Sequence, residues 1–431
     1  MSAAVPHPPV HPRAVDRPPL LVVFSITVSG ILGNTLINAP LPDIVAAFGR
    51  SDSAAGLLVA AATLPGIVVA PAIGLLADRF GRRQVLLPCL VLFGIAGVAA
   101  AFAPTFGILV ALRLAQGIGS AGLINLAVVL IADCWDGHDR ARLIGWNAAV
   151  LTVSVAILPA VGGLLAAVGG WRLAFAPFAI ALLSAAAVAR WVHVPHSGGG
   201  MTLRQQVRGA AVVVRSPVVF GSVLYGTVFF ILAFGLMLTV LPLMLEQRFG
   251  LSVGLRGLVF IAPAAGATLV AFNMGRLRRR FGALNLLVVG AVLFAVGYAA
   301  MGLVPVLALV GLGAFVHGLG EGGTIPTVQE LVASAAPTES RGAVMAVWVG
   351  AARLGQTIGP LVAAPAVTAV GFTATYTAGI VVASCLAVGT LVVGRSLLRR
   401  GVLVTAVSSP GVPPAAPAPP AATDPAGRLA P

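Results

Sequence analysis

The stretch Gly74-Leu75-Leu76-Ala77-Asp78-Arg79-Phe80-Gly81-Arg82-Arg83 decides how the chain is read. Long apolar runs flank it on both sides. Two glycines, an aspartate and three arginines fall within these ten residues. A polar island this short between two such runs is expected to be a tight loop at a membrane surface. It has a counterpart 201 residues further on, Gly275-Arg276-Leu277-Arg278-Arg279-Arg280-Phe281-Gly282. Glycine, arginine, phenylalanine and glycine recur in register, but Arg279 stands where the first copy has Asp78.

Working outward, apolar runs occupy roughly 20–47, 54–77, 84–103, 106–132, 142–168, 171–192, 218–246, 254–275, 284–302, 304–333, 342–368 and 370–394. Each is about as long as the ~20 residues a spanning helix needs, and the longer ones would tilt. The composition agrees: 59% of the 431 residues are apolar and 9% charged, more apolar surface than a water-soluble domain can hide. All 26 basic residues are arginines, and the net charge is +14. They lie between apolar runs and not on a soluble face, so the charge points to orientation in a bilayer and not to nucleic acid.

The arginines fall on alternate loops. One set carries Arg79, Arg82, Arg83, Arg140, Arg142, Arg190, Arg276, Arg278, Arg279, Arg280, Arg341 and Arg395, while the other holds only Arg50, Arg172, Arg248 and Arg256. By the positive-inside rule the first set is cytoplasmic, with both termini. The expected organisation is all-α, with twelve transmembrane helices in two pseudo-symmetric six-helix bundles. Residues 1–19 form a Pro-rich disordered tail, 20–192 the first bundle, 193–217 a linker with a short amphipathic helix, 218–395 the second bundle, and 396–431 a disordered Pro/Ala-rich tail. The bundles are read as parallel repeats because landmarks match at one offset. Phe48-Gly49 matches Phe249-Gly250, Gln116-Gly117 matches His317-Gly318, Arg140 matches Arg341, and Pro159 matches Pro360. Such a pair of bundles places a substrate cavity between them near mid-membrane.

Cys89, Cys134 and Cys385 are too scattered for a disulfide or metal framework. No Gly-rich loop ends in the Gly-Lys-Ser/Thr phosphate cradle, and no catalytic constellation stands out. No enzyme activity, nucleotide drive, cofactor or metal is expected.

These residues resemble the major facilitator superfamily, and within it the twelve-helix drug:proton antiporters, over residues 20–395. Residues 74–83 look like the superfamily's motif A. Leu109-x-x-x-Arg113-x-x-Gln116-Gly117-x-Gly119 looks like motif B, and Gly170-Trp171-Arg172 resembles the turn that opens the sixth helix. The fifth-helix antiporter motif is partial: Pro159, Gly162 and Gly163 remain, while Ser154 and Leu158 replace its first glycines. Gly355, Gly359 and Pro360 keep the missing half in the second repeat. The resemblance implies a secondary transporter working by alternating access, with proton-coupled efflux of amphipathic drugs or small molecules from the bacterial cytoplasmic membrane. A transporter of one specific metabolite (a sugar, siderophore or organic anion) is the alternative, and a non-transporting sensor the remote one. Partners would be a small-molecule substrate, protons and lipid, and the chain would work as a monomer.

Three groups of residues are expected to carry mechanism. Motif A implies a cytoplasmic gate of Gly74, Asp78, Arg79, Gly81 and Arg82, with Asp133 and the start of the eleventh helix at Arg341 as partners. Its competing reading is a set of solvated charges that only fix topology. Proton coupling falls to Glu321, Arg113, Arg353, His317 and Asp43. Burial favours the neutral carboxyl and a nearby cation favours the carboxylate, so an intramembrane acid beside an arginine is poised for protonation. Glu321 and Arg353 each lie about 12 residues, or ~18 Å, from the same membrane face, which predicts their contact as a switch or a static ion pair. Arg113 is either a coupling residue or a hub bonded to Asn34 and Asn38 of the first helix, and His317 is more often a packing residue. Asp43 competes as an interfacial cap, and Glu246 is weaker still. Asn34, Asn38, Gln116, Tyr225, Phe229 and Gln356 are expected to line the substrate cavity. Trp135, Trp146, Trp171, Trp191 and Trp348 fit interface belts.

Overall fold

The computed structural model describes residues 17–193, 216–336 and 341–399. The expected linker helix within 193–217 and all but the margins of the two expected tails lie outside those residues, as does the side chain of Arg341.

In lipid every backbone N–H and C=O must find a partner within the chain, and helices satisfy that requirement locally. The described residues are helical throughout, apart from short turns. Seven continuous helices are long and apolar enough to span a bilayer. Two of these are each a pair of crossings folded at a glycine, Val253–Leu303 at Gly282 and Val344–Ser396 at Gly371. The shorter apolar helices Leu20–Thr35 and Ala176–Trp191, together with Leu307–Ser334, complete twelve crossings.

Three turns show the repeat in backbone geometry. Gly49 and Gly250 have φ of 60° and 63°, Gly81 and Gly282 have 96° and 73°, and Gly170 and Gly371 have 74° and 79°. Each pair is 201 residues apart. A positive φ is strained for any side chain with a Cβ, so these three turns fix glycine in both copies.

Irregularity also falls at matching depths. The first crossing is regular over Leu20–Thr35, loosens into turns, and resumes at Leu41–Ala47. The seventh runs over Pro217–Leu232, passes through a wider π-type turn at Ala233–Val240, and closes with Leu241–Gln247. Such bulges disturb the i→i+4 ladder and free backbone groups for side chains.

The two halves meet along two seams, the second crossing against the eleventh and the fifth against the eighth. Pro360 turns its carbonyl onto Gly56, and Pro159 turns its carbonyl onto Gly257, where a Cβ would stand 2.8 Å from the oxygen. These contacts are the same contact in the two repeats, since 56 and 257, and 159 and 360, share the 201 offset. Gly163 also abuts the eighth crossing: a Cβ there would lie 2.7 Å from the Val253 carbonyl. Small residues let helix backbones approach this closely, which is the main source of helix association in lipid. Of the antiporter-motif remnants, Pro159, Gly163 and Pro360 lie on these seams, whereas Gly162, Gly355 and Gly359 pack within their own halves against Leu36, Thr227 and Ile231.

Candidate functional site

Mid-membrane charge comes first. Arg113 is 1% exposed in the fourth crossing. Its Nη2 donates to the Gly33 carbonyl at 2.7 Å and its Nη1 to Gln116 Oε1 at 2.9 Å. The first crossing explains this. After Leu36 N–H bonds the Leu32 carbonyl, the ladder shifts, and Asn38 N–H bonds the Thr35 carbonyl. Side chains then serve the displaced carbonyls: Arg113 takes Gly33, and Asn38 Nδ2 takes the Asn34 carbonyl at 3.2 Å. The expectation that Asn34 and Asn38 side chains hold Arg113 is corrected, because a free backbone carbonyl is the stronger acceptor within reach.

Gln116 is fully buried, and its Nε2 points at Gly97 of the third crossing, where a Cβ would lie 2.6 Å away. It lines no cavity. Tyr225 and Phe229 are likewise turned into the second half. The Tyr225 hydroxyl donates to the Leu287 carbonyl at 2.6 Å, and the Phe229 ring packs on Phe294 at 5.1 Å. Both were expected at the cavity; their contacts hold the seventh crossing to the ninth. Trp348, expected in an interface belt, is 2% exposed and packs against Gly226 and the Phe230 ring at 6.1 Å.

His317 is fully buried on the tenth crossing, with Nε2 3.0 Å from the Tyr298 hydroxyl and its ring against Phe294 and Tyr298. Its Nδ1 lies 3.9 Å from Glu321 Oε2, too far for a hydrogen bond. The expected Glu321–Arg353 contact is not formed. Arg353 lies across the seam over Gly66 of the second crossing and donates through Nη1 to Gln356 Oε1 at 3.2 Å. Arg353 turns to Gly66 of the other half, while Glu321 turns to His317 on its own helix.

The motif loop forms a closed charge cluster. Gly81 turns the chain between Gly66–Phe80 and Arg82–Ala100. Arg82 pairs with Asp78 through Nη1, and its Nε donates to Asp133 Oδ2 at 2.9 Å. Arg83 donates to the Ala189 carbonyl of the sixth crossing at 2.6 Å, while exposed Arg79 lies over the Phe80 ring. Gly74 has open space around it. The cluster therefore ties the second, third, fourth and sixth crossings of one half together. The expected reach of Asp78 to the eleventh helix is replaced, among the described side chains, by Arg82, which the Gly81 turn brings back beside the end of the second crossing.

At the opposite, arginine-poor face lies a group that sequence reasoning missed. Arg256, 2% exposed at the start of the eighth crossing, donates through Nη2 to Asp43 Oδ2 of the first half at 2.5 Å. Its Nη1 is 3.6 Å from Glu246 Oε2. Asp43 is therefore one partner in an ion pair between the halves, not a helix cap. Gln247 adds a second bridge, its Nε2 donating to Asp52 Oδ2 at 2.7 Å. The available signal was Arg256 itself, one of few arginines on the wrong side. Seam contacts run from this face inward through Thr63–Thr357, 2.9 Å between hydroxyls, and Gly66–Arg353. A further one is at Gly350, where a Cβ would lie 3.5 Å from the Ile67 carbonyl. Described side chains nearer the arginine-rich face make no ion pair between halves.

Two repeated six-helix bundles, closed on each other at one membrane face and bearing buried charge at mid-depth, define a multi-pass membrane protein. The profile of the Major Facilitator Superfamily matches residues 23–360 and 223–423, and the chain belongs to that family. Among curated relatives, a tetracycline resistance protein, class C, from Escherichia coli is 38% identical over 152 residues, covering 34% of this chain and 38% of the relative. The Bacillus subtilis (strain 168) bacillibactin exporter is 31% identical over 165 residues, covering 37% and 40%. The quinolone resistance protein NorA of Staphylococcus aureus is 32% identical over 136 residues, covering 31% and 35%. The chain thus spans less than half the length of each. Among solved structures, a bacterial homologue of the human lysosomal transporter Spinster, inward-facing and unoccupied, superposes with a TM-score of 0.71 at 19% identity over 91% of this chain and 98% of the other. A D-xylose-proton symporter gives 0.71 at 21% identity over 87% and 96%. At these identities the likeness is one of fold.

Proposed function

We propose that the chain is a secondary active transporter that exports amphipathic small molecules in exchange for protons by alternating access. It would act as a monomer in a bacterial cytoplasmic membrane, with the arginine-rich face inside. Residues 20–192 and 218–395 would be the two rocking bodies. With that orientation, the seams and the Asp43–Arg256–Glu246 group close the outer face, so the arrangement corresponds to an inward-open state.

The observation that carries the proposal is Glu321, an intramembrane acid with no arginine partner among the described residues, one helical turn from buried His317. An unpaired carboxyl in hydrocarbon is stable only when neutral, and it can ionise when movement brings a cation or water. Glu321 is assigned the transported proton, with Arg113 holding the first helix in place within the first half. The Asp78–Arg82–Asp133 cluster keeps its half rigid, leaving Asp78 and Arg79 available to meet the eleventh helix when the inner face closes. Similarity to named resistance proteins supports an amphipathic substrate, and similarity to the bacillibactin exporter supports the second reading, export of one siderophore-like metabolite.

The test is substrate accumulation in cells expressing the protein, with and without a collapsed proton gradient. Gradient-dependent lowering of accumulation is expected. Accumulation that ignores both the protein and the gradient would overturn the reading.

A further inference from the structure

The second–eleventh seam carries a buried arginine and a bonded threonine pair that its repeat partner lacks. Thr63 and Thr357 bond across it, and Arg353 lies one turn further in. The corresponding residues of the fifth–eighth seam are Ala264, Ala156 and Thr152. The apolar seam closes equally well through Gly257 and Pro159, so closure does not require an arginine in the other.

Arg353 also keeps part of its guanidinium unpaired among the described residues. It is 9% exposed, and no carboxylate lies within 4.0 Å among the described residues. Its one side-chain bond is Nη1 to Gln356. Nε and Nη2 have no acceptor, yet neither is among the sealed polar atoms, whereas Arg113 Nε is. Nε and Nη2 form the side-on edge of the guanidinium, the edge that grips both oxygens of a carboxylate. Glycine at 66 is what lets the arginine lie flat on the second crossing: a Cβ there would stand 3.0 Å from Cδ and 3.1 Å from Nε. A phospholipid headgroup is excluded by depth, since Arg353 lies ~18 Å along the helix from Arg341.

We propose that Arg353 is a substrate-anion subsite: its unpaired Nε/Nη2 edge, held against the second crossing at Gly66, receives the carboxylate of an amphipathic organic anion. Gln356 fixes the guanidinium plane from the other side. The inference rests on the transporter reading for its physiological meaning, but its test is a binding measurement that needs no flux.

The full chain in neutral phosphatidylcholine nanodiscs is titrated by equilibrium dialysis with 2-naphthoate and with its uncharged isostere 2-naphthamide. The naphthoate is expected to bind about tenfold more tightly. Arg353→Gln should erase that preference. Gly66→Ala, which keeps the charge but crowds the edge, should reduce it severalfold and guards against a folding defect in the first variant. Equal binding of the two probes to the native chain, no naphthoate binding at millimolar concentration, or a preference that survives both substitutions overturns the subsite. Flux failure in the accumulation assay with the probe preference intact would overturn transport while leaving the subsite standing.

Discussion

Arg256 Nη2 and Asp43 Oδ2 meet at 2.5 Å although 213 residues separate them and they belong to different halves of the molecule. The arginine is sealed and the aspartate a third exposed, so the pair sits at the lip of the closed face. Asp43→Ala leaves Arg256 only Glu246 at 3.6 Å, and should lower the stability of the closed state by about 1–3 kcal/mol, as for a lost hydrogen bond to a charged group. Spin labels at Ser51 and Gly254 should show a new, longer distance population. An unchanged distance distribution would mean that the seams alone hold the face shut.

The glycine–proline contacts predict a second route to the same effect. Gly257→Ala would bring a Cβ to 2.8 Å from the Pro159 carbonyl and 3.0 Å from Ala160 Cα, both backbone atoms that cannot swing aside. Gly56→Ala meets the Pro360 carbonyl in the same way. Both should insert normally, raise labelling of single cysteines introduced at the arginine-poor face, and slow transport at least severalfold. Gly74→Ala, which meets nothing within 4 Å, is the control for local insertion effects.

Arg82 is predicted to matter more to stability than either of its acids. Removing Asp78 or Asp133 leaves it one partner, whereas Arg82→Gln leaves two aspartates facing each other. The side chains are 18%, 41% and 31% exposed, so solvent screening holds the cost to about 1 kcal/mol. Thermal unfolding of the three variants in detergent should rank Arg82→Gln lowest. Asp78→Asn is expected to impair transport with insertion intact, and normal transport by that variant would remove Asp78 from the gate.

Glu321 and His317 should separate cleanly. Glu321→Gln is expected to abolish gradient-driven efflux while leaving equilibrium exchange of substrate across proteoliposomes. His317→Ala empties a fully buried site and strips Tyr298 of its partner, so it should destabilise the protein by about 2–4 kcal/mol, with coupling retained in the protein that folds. Gradient-driven efflux by Glu321→Gln would rule out its coupling role.

Depth along a helix was legible in the sequence, because 1.5 Å per residue is fixed by backbone hydrogen bonding. Glu321 and Arg353 were placed at one level on that basis. Direction around the helix was not: Arg353 turns to Gly66 and Glu321 toward His317. Tyr225, Phe229 and Gln116 repeat the lesson. Polar or aromatic residues on a lining helix suggested a cavity, and each instead found a partner inside its own bundle.

The sequence by itself determined the helical fold, the crossings and the repeat. Those depend on local demands: lipid forces each backbone group to bond within its segment, and a turn with positive φ admits glycine. The tertiary structure alone decided which charges meet. Asp43 finds Arg256, Arg353 is left with an unpaired edge, and Pro360 closes on Gly56, because helix rotation and the docking of one bundle on the other are set by packing between residues hundreds of positions apart.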